Sequence, residues 1–515
     1  MSGGPLLCGV DAGTSRIRAV VFDLDGRTVA EAAEPTPTRQ IAAGQAEHDA
    51  EALWTMAVAA IAGAARKLDD PARVRAIAVA SFGEAGVLLD AEGRPQGPVI
   101  AWFDSRTAPI LAELVERPGF AALHRLTGLS PDPTFSLLKL CWIRRHHPER
   151  LQRATAWLHV ADFIGWRLSG EMATDISLAS RTMALDLAAG RWADGLLAEL
   201  GLPAGLMRQI AGPGDRLGRL TGAAARATGF EAGIAVGVAG HDHVCGMLAV
   251  GGDAPGILLD SMGTAEALTL TLERPVGQLA FGRDGFNQGA ARLDPPLYYA
   301  FGGLPTSAAC VEWFRQAIAG GADHAALIAE AERAEPGCGG ALFLPHLRIG
   351  SPPWPDAVAR GAFIGLSDGC TRGTLYRAVL EGLALDAAHL LATMRAHLGE
   401  PRIERLVAIG GSTRNPLLMR LKASLFGRPI AVADTVESTS LGAAMLAGIA
   451  AGLFRDLAAA RTAMMPAFHD VAPDPDWPVR REALLDAYGE AYAGLRDVQA
   501  RLRRQLSAAS APPGG

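Results

Sequence analysis

The chain has 515 residues, 49% of them hydrophobic, and a formal net charge of -6 with a pI near 6.1. It is long and apolar enough for two sizeable cores, which excludes a mostly disordered protein. The slightly acidic balance argues against a nucleic-acid binder, whose affinity rests on clustered Lys and Arg, and leaves a small molecule as the expected partner.

Leu6 to Val10 and Ile17 to Asp23 are short apolar runs separated by a Gly-Thr-Ser turn. Asp25-Gly26 closes a further turn before Thr28 to Ala33, so the chain is expected to open as an antiparallel meander. Ala50 to Lys67 has helical spacing and Val74 to Ala80 reads as a buried strand, an order unlike a dinucleotide-binding βαβ start. Pro118 to Leu220 is more helical, richer in Trp and Arg, and is expected to elaborate the first domain.

A second turn-linked strand pair, Ile257 to Ser261 and Ala265 to Leu272, repeats the opening theme, with helices around Pro305 to Ala319. Then follow a helix over Arg372 to Leu398, a strand over Arg405 to Ile409, a helix over Pro416 to Phe426, a strand over Pro429 to Ala433 and a helix over Thr439 to Gly452. The recurrence predicts two related halves. From Asp476 to Leu506 a charged helix leads to a Ser/Ala/Pro/Gly tail expected to fray.

The six cysteines lack CxxC pairs or metal-ligand spacing and are expected as reduced thiols. The start has no basic n-region and no long apolar segment, and no uncharged run is long enough to span a bilayer, so a cytoplasmic protein without membrane contact is expected.

Four glycine-rich segments carry the chemistry: GVDAGTSRIRAVVFD at the start, AGHDHVCGML, LLDSMGTAEAL and VAIGGSTRNPLL. Each is an apolar strand ending at a glycine turn flanked by Asp or Thr, which can bring N–H groups and hydroxyls up to phosphates and a metal. Spread over two halves of the chain, they suggest a phosphate-handling cleft between two domains. A Walker-type loop is excluded because Gly-Lys occurs nowhere, and no GxGxxG occurs. The GxSxG at Gly365 to Gly369 follows a run too short and glycine-broken for a nucleophile elbow. His241 and His243 could form a metal pair of a hydrolase, but 240 residues precede them and downstream His are sparse. Asp242 between them lies past an apolar stretch in a glycine-flanked turn, where a carboxylate could act as general base.

These residues resemble a family. DAGTSRIR at Asp11 to Arg18, the Asp242 turn, DSMGT at Asp260 to Thr264 and IGGSTRNP at Ile409 to Pro416 look like the phosphate and adenosine motifs of the FGGY carbohydrate kinases, in the actin-like ATPase superfamily. Two signature-like segments lie between them. In Ser136 to His146, Ser136, Lys139, Trp142, Ile143, Arg145 and His146 fit while Thr134 departs; in Gly361 to Gly382, Phe363, Leu375, Ala378 and Glu381 fit while Thr374 departs. The resemblance implies an α/β fold of two related actin-like (ribonuclease H-like) domains with an interdomain cleft. It divides the chain into residues 1–246, residues 247–456 and a C-terminal helical extension with a flexible tail, 457–515.

The implied activity is ATP- and Mg²⁺-dependent phosphorylation of a sugar or polyol hydroxyl. Asp11 would hold Mg²⁺, directly or through water, with Gly13, Thr14, Ser15 and Arg18 around the transferring phosphate. Gly263 and Thr264 would form the second phosphate turn, and Gly410, Gly411 and Asn415 would border the adenosine, Asn415 reading equally as a helix cap. Asp242 would be the base, and Glu84, Trp102 and Asp104 would contact the acceptor, with a structural pairing of Arg106 with Asp104 as the alternative reading. Glycerol kinases carry Arg before the matching Glu and xylulose kinases commonly Met-His, where this chain has Phe82-Gly83. The Gly-His-Asp turn looks closer to the deoxyketose, fuculose-type branch. A homodimer is the assembly that the resemblance suggests. The rival expectation is a non-catalytic nucleotide-binding regulator of the same superfamily, which would keep the ATP motifs and lose the base.

Overall fold

The structure, a computed structural model, describes residues 3–203, 205–263, 265–355, 359–435 and 437–509. The opening meander comprises β1 (Leu6–Ala12), β2 (Arg16–Phe22) and β3 (Thr28–Pro35), antiparallel throughout. The Asp23 carboxylate accepts from the backbone N–H groups of Asp25 and Arg27 and so closes the second turn. Helix α1 (Ala50–Ala65), capped by Asp49 onto the Ala52 N–H, crosses to β4 (Val74–Ser81), which lies parallel to β1. After the elaborated middle segment, with α2 (Val160–Ser169) and the single turn α3 (Ile176–Ala179), the chain returns through β5 (Arg216–Arg219) and β6 (Ala235–His241). The six-stranded sheet runs β5-β6-β4-β1-β2-β3, with β6, β4 and β1 parallel.

Helix α4 (Asp242–Ala249) leads into the second sheet, whose first strands are β7 (Ile257–Met262), β8 (Glu266–Leu272), β9 (Asn287–Leu293) and β10 (Pro296–Leu304). Helix α5 (Arg372–His397), strand β11 (Arg405–Ile409), helix α6 (Pro416–Phe426), strand β12 (Ile430–Ala433), helix α7 (Ser438–Ala450) and strand β13 (Phe468–Val471) complete it. The order β9-β10-β8-β7-β11-β12-β13 repeats the first domain: β7 pairs antiparallel with β8 and parallel with β11, as β1 pairs with β2 and β4.

The sheets are buried on both faces, which is why their central strands read as continuous apolar runs. Along β1, Leu6, Cys8 and Val10 point into a core with α1 and α2, while Leu7 points the other way. On that second face Ala76, Ala78 and Ala80 of β4 leave room for α4 and α7, which contribute Val244, Met247, Leu441 and Leu446 to one layer with Leu259 and Val407 of the other sheet. The two helices are thus held between the sheets, and the carboxyl ends of β1, β4, β6, β7 and β11 carry the glycine turns.

The expected division at 246 lies within α4. In the expected helical extension after 457, β13 pairs with β12, and α8 (Pro478–Ala509) buries Tyr488 and Tyr492 in the second domain's core. Tyr488 anchors it by donating to Asp386 at 2.7 Å, apolar burial plus a buried charge-assisted bond that the charged pattern of the helix conceals. The tail beyond 509 lies outside the described residues.

Candidate functional site

Asp11 sits near the end of β1, in register with Arg18 across the hairpin. The Gly13 N–H donates to the Arg16 carbonyl at 3.0 Å, and Thr36 clamps the turn from β3's end by donating to the carbonyls of Gly13 (2.6 Å) and Ser15 (3.1 Å). Trp102 Nε1 donates to Thr14 Oγ1 at 2.9 Å, which ties an expected acceptor residue to an expected phosphate residue. Arg18 is paired with Glu437, just before α7, so a cation of the first domain meets an anion of the second. Within this turn Asp11 Oδ1 is buried and has no hydrogen-bond partner.

Asp242 opens α4, and Thr439 at the start of α7 donates to its carbonyl at 3.3 Å. Its Oδ1 accepts from the His243 N–H at 2.7 Å and lies 3.2 Å from His241 Nε2. Burial pushes the Asp242 carboxyl up to about 7, and the negative Glu84 adds to this while Arg181 and the His243 N–H oppose it. Asp11 is also raised to about 7, by burial first and the Asp242 charge second, against Arg18. The two carboxyls therefore share one field, each ionised form disfavouring the other. Burial lowers His243 to about 4 and His241 further, leaving both rings neutral. Among the described residues no group of three His, Cys, Asp or Glu is arranged to hold a metal.

Glu84 follows β4 and adopts φ 61°. Ser136 and Lys139, both from the first signature-like segment, donate to its carbonyl at 3.0 and 2.9 Å, and Lys139 also donates to the Thr134 carbonyl at 2.7 Å. Arg181 binds its carboxylate at 2.5 Å. The signature lysine thus fixes the backbone that presents Glu84, and it does so while buried, which lowers its own pKa to about 7.

Asp104 is a correction. Its side chain is fully buried, with Oδ1 accepting from the Arg106 backbone N–H and Nε, and Oδ2 from the Ala46 N–H and Arg106 Nη2, all between 2.7 and 2.9 Å. No valence faces the cleft, so Asp104 staples the loop onto the Arg39 to His48 hairpin. Asn415 caps α6 by accepting from the Leu418 N–H at 3.1 Å, with Pro416 at the first helical position; its amide NH₂ is left over. Gly410 has φ 100°, and a Cβ there would run into the Met262 carbonyl, so the turn after β11 lies directly against the end of β7. Gly411 follows in the turn that leads to Asn415. The Gly263 N–H donates to the Ala265 carbonyl at 2.8 Å; Thr264 lies outside the described residues.

Two charged groups escaped the sequence reading. Lys422 on α6 donates to Asp260 and Glu266 at 2.6 and 2.5 Å, all three buried, and Ser307 donates to Glu266 at 2.8 Å. A lone lysine in the apolar run PLLMRLKASLF was the available signal. Arg181, in the buried stretch after α3, was the other.

In sequence, residues 6–249 match the N-terminal domain, and residues 258–451 the C-terminal domain, of the FGGY family of carbohydrate kinases. A glycerol kinase of Gloeobacter violaceus is 34% identical over 87% of this chain and 89% of its own length, and one of Leptothrix cholodnii is 34% identical over 91% and 95%. Among solved structures, a xylulose kinase from Rhodospirillum rubrum superposes with a TM-score of 0.86 at 28% identity, covering 96% of this chain and all of that one.

Proposed function

Because the chain belongs to the FGGY family of carbohydrate kinases, we propose that it transfers the γ-phosphoryl group of ATP to one hydroxyl of a neutral sugar or polyol, with Asp242 as the base. The observation that carries this reading is the placement of Asp242: at the interdomain helix start, beside the Glu84–Arg181 pair, with a carboxyl raised to about 7.

Phosphoryl transfer asks chiefly for positioning and charge neutralisation. Asp242 accepts the proton of the acceptor hydroxyl as its oxygen bonds to phosphorus and ADP leaves, a role suited to a carboxyl whose pKa lies near neutrality. Gly13, Thr14 and Ser15 line one side of the phosphates, and Gly263 the other, from the second domain. Gly410 and Gly411 allow backbone approach of the adenosine, and the free amide of Asn415 offers donors. Arg18, matched by Glu437, steadies the two domains at the phosphate end. Asp11 suits a divalent cation because its Oδ1 is buried and unpartnered; Mg²⁺ there supplies charge neutralisation to the phosphates when bound. Domain closure over these groups excludes water, the competing acceptor.

The relatives' names make glycerol one acceptor to test. Gly83, where glycerol kinases have Arg, favours a ketose or deoxyketose of the xylulose or fuculose type. A coupled ADP-release assay with Mg²⁺-ATP and a panel of glycerol, erythritol, D-xylulose and L-fuculose tests the assignment. One strong responder is expected; uniform silence with a folded, ATP-binding protein would overturn it.

A further inference from the structure

The acceptor side of the cleft holds a guanidinium that no motif contains. Arg181 has a side chain only 8% exposed, and its Nε and Nη2 both reach Glu84 Oε1 at 2.5 Å. Its Nη1 is buried without a hydrogen-bond partner. A charged donor left unmatched in a protein interior is costly, so a position that retains one is a position awaiting an acceptor. Glu84 is matched to it: both Arg181 bonds fall on Oε1, and no donor among the described residues engages Oε2. The positive φ of Glu84, held by Ser136 and Lys139, is backbone strain spent on presenting this carboxylate.

The location fits a bound acceptor. The guanidinium lies 5.1 Å from the ring of Phe301 in the second domain and 5.3 Å from that of Phe135 in the first. Phe301 in turn packs edge-on against His243, the neighbour of Asp242, at 5.6 Å. The free donor is thus linked to the proposed base through the Phe301 and His243 rings, between the domains. A side chain at position 83 would crowd this pair: a Cβ on Gly83 would meet the His241 ring at 3.0 Å and Arg181 Cβ at 3.4 Å, so those groups would have to shift to admit it.

We propose that Arg181 and Glu84 together clamp two adjacent hydroxyls of a neutral acceptor: one donates to Glu84 Oε2, its neighbour accepts from Arg181 Nη1, and a further hydroxyl is left to Asp242. This rests on the kinase reading above and makes Arg181 a specificity-determining residue. The acceptor class is a neutral sugar or polyol with a vicinal hydroxyl pair beside the reacting hydroxyl, and without a carboxylate, because the guanidinium's charge is already matched by Glu84 and the negative Asp132 and Asp242 stand close to it.

The test is steady-state kinetics of wild type and Arg181→Lys with glycerol, erythritol, D-xylulose and L-fuculose, each followed at saturating Mg²⁺-ATP, with the KM for ATP and the melting temperature measured in parallel. Lysine keeps the pair with Glu84 and removes the second donor edge. The expected result is a rise of roughly 10- to 100-fold in acceptor KM, the worth of one charged hydrogen bond, with the KM for ATP unchanged. That rise disappears with an acceptor analogue lacking the clamped hydroxyl, a non-additivity a purely structural role does not produce. An unchanged acceptor KM, or equal rises for acceptor and ATP, overturns the clamp. Should Arg181→Lys melt early, Glu84→Gln with Arg181→Met removes both charges together, and the same KM split is required of it. If wild type phosphorylates none of the four compounds, the kinase reading fails first and the clamp with it.

Discussion

The two strand-turn-strand units β1–β2 and β7–β8 occupy equivalent places in their sheets and both carry an Asp shortly before a Gly-Thr, yet their carboxylates have opposite fates. Asp11 Oδ1 is buried without a partner, and the nearby Asp242 charge raises its carboxyl further. Asp260 is more deeply buried and its Oδ1 also lacks a partner, but its Oδ2 is bonded by Lys422, which also holds Glu266 on the other side of the hairpin, so that the two carboxylates hold the ammonium in its charged form. The same local sequence therefore makes a ligand-ready group in one domain and an internal anchor in the other. What separates them is a single cation contributed by a distant helix.

Removing that cation should have the largest effect on the fold. Lys422→Met leaves two buried carboxylates unpaired, and a loss of about 3–5 kcal/mol is expected, the cost of breaking a buried ion pair from one side; a melting temperature like that of wild type would show that the triad anchors nothing. Asp11→Asn, at the equivalent hairpin, should leave nucleotide-free stability at about pH 4, where the folded carboxyl is protonated, within about 1 kcal/mol of wild type, since no bond is lost, while flattening the Mg²⁺ dependence of turnover. An unaltered Mg²⁺ titration would remove Asp11 from the cation site.

Smaller, and distributed over both hairpins, is the effect of pH. Asp11, Asp242 and Glu266 are all raised to about 7 by burial. A carboxyl raised above its unfolded value contributes stability that is complete below that value and lost as pH rises through the folded one. The nucleotide-free melting temperature should therefore fall between pH 5 and pH 8, and fall less in Asp11→Asn. A slope identical in the two proteins would contradict the account of Asp11.

Much of the scaffold was legible in the sequence. The strand at Arg405 to Ile409 and the helix at Pro416 to Phe426 are found at the residues expected. Their ends are set by local chemistry: a glycine at positive φ, an Asn cap followed by Pro, and Gly427 in the left-handed region. The relatedness of the two halves was readable for the same reason, as a repeated apolar run and glycine turn. The pairing of charges was not. Arg181 meets Glu84 across 97 positions and Lys422 meets Asp260 across 162, distances over which periodicity carries no information. Asp104 was misassigned as an acceptor contact because its partner Arg106 lies two residues away and either use of the carboxylate fits the local pattern; only the burial of both oxygens separates them.

The central claim is that Asp242 acts on the acceptor and not on ATP. The most direct measurement is turnover and ATP affinity of Asp242→Asn, with the acceptor that wild type uses best. The account predicts a rate lower by roughly 10²- to 10⁴-fold, the range for loss of a general base, with ATP affinity and melting temperature close to those of wild type. Undiminished turnover, or loss of ATP binding in step with activity, would contradict it.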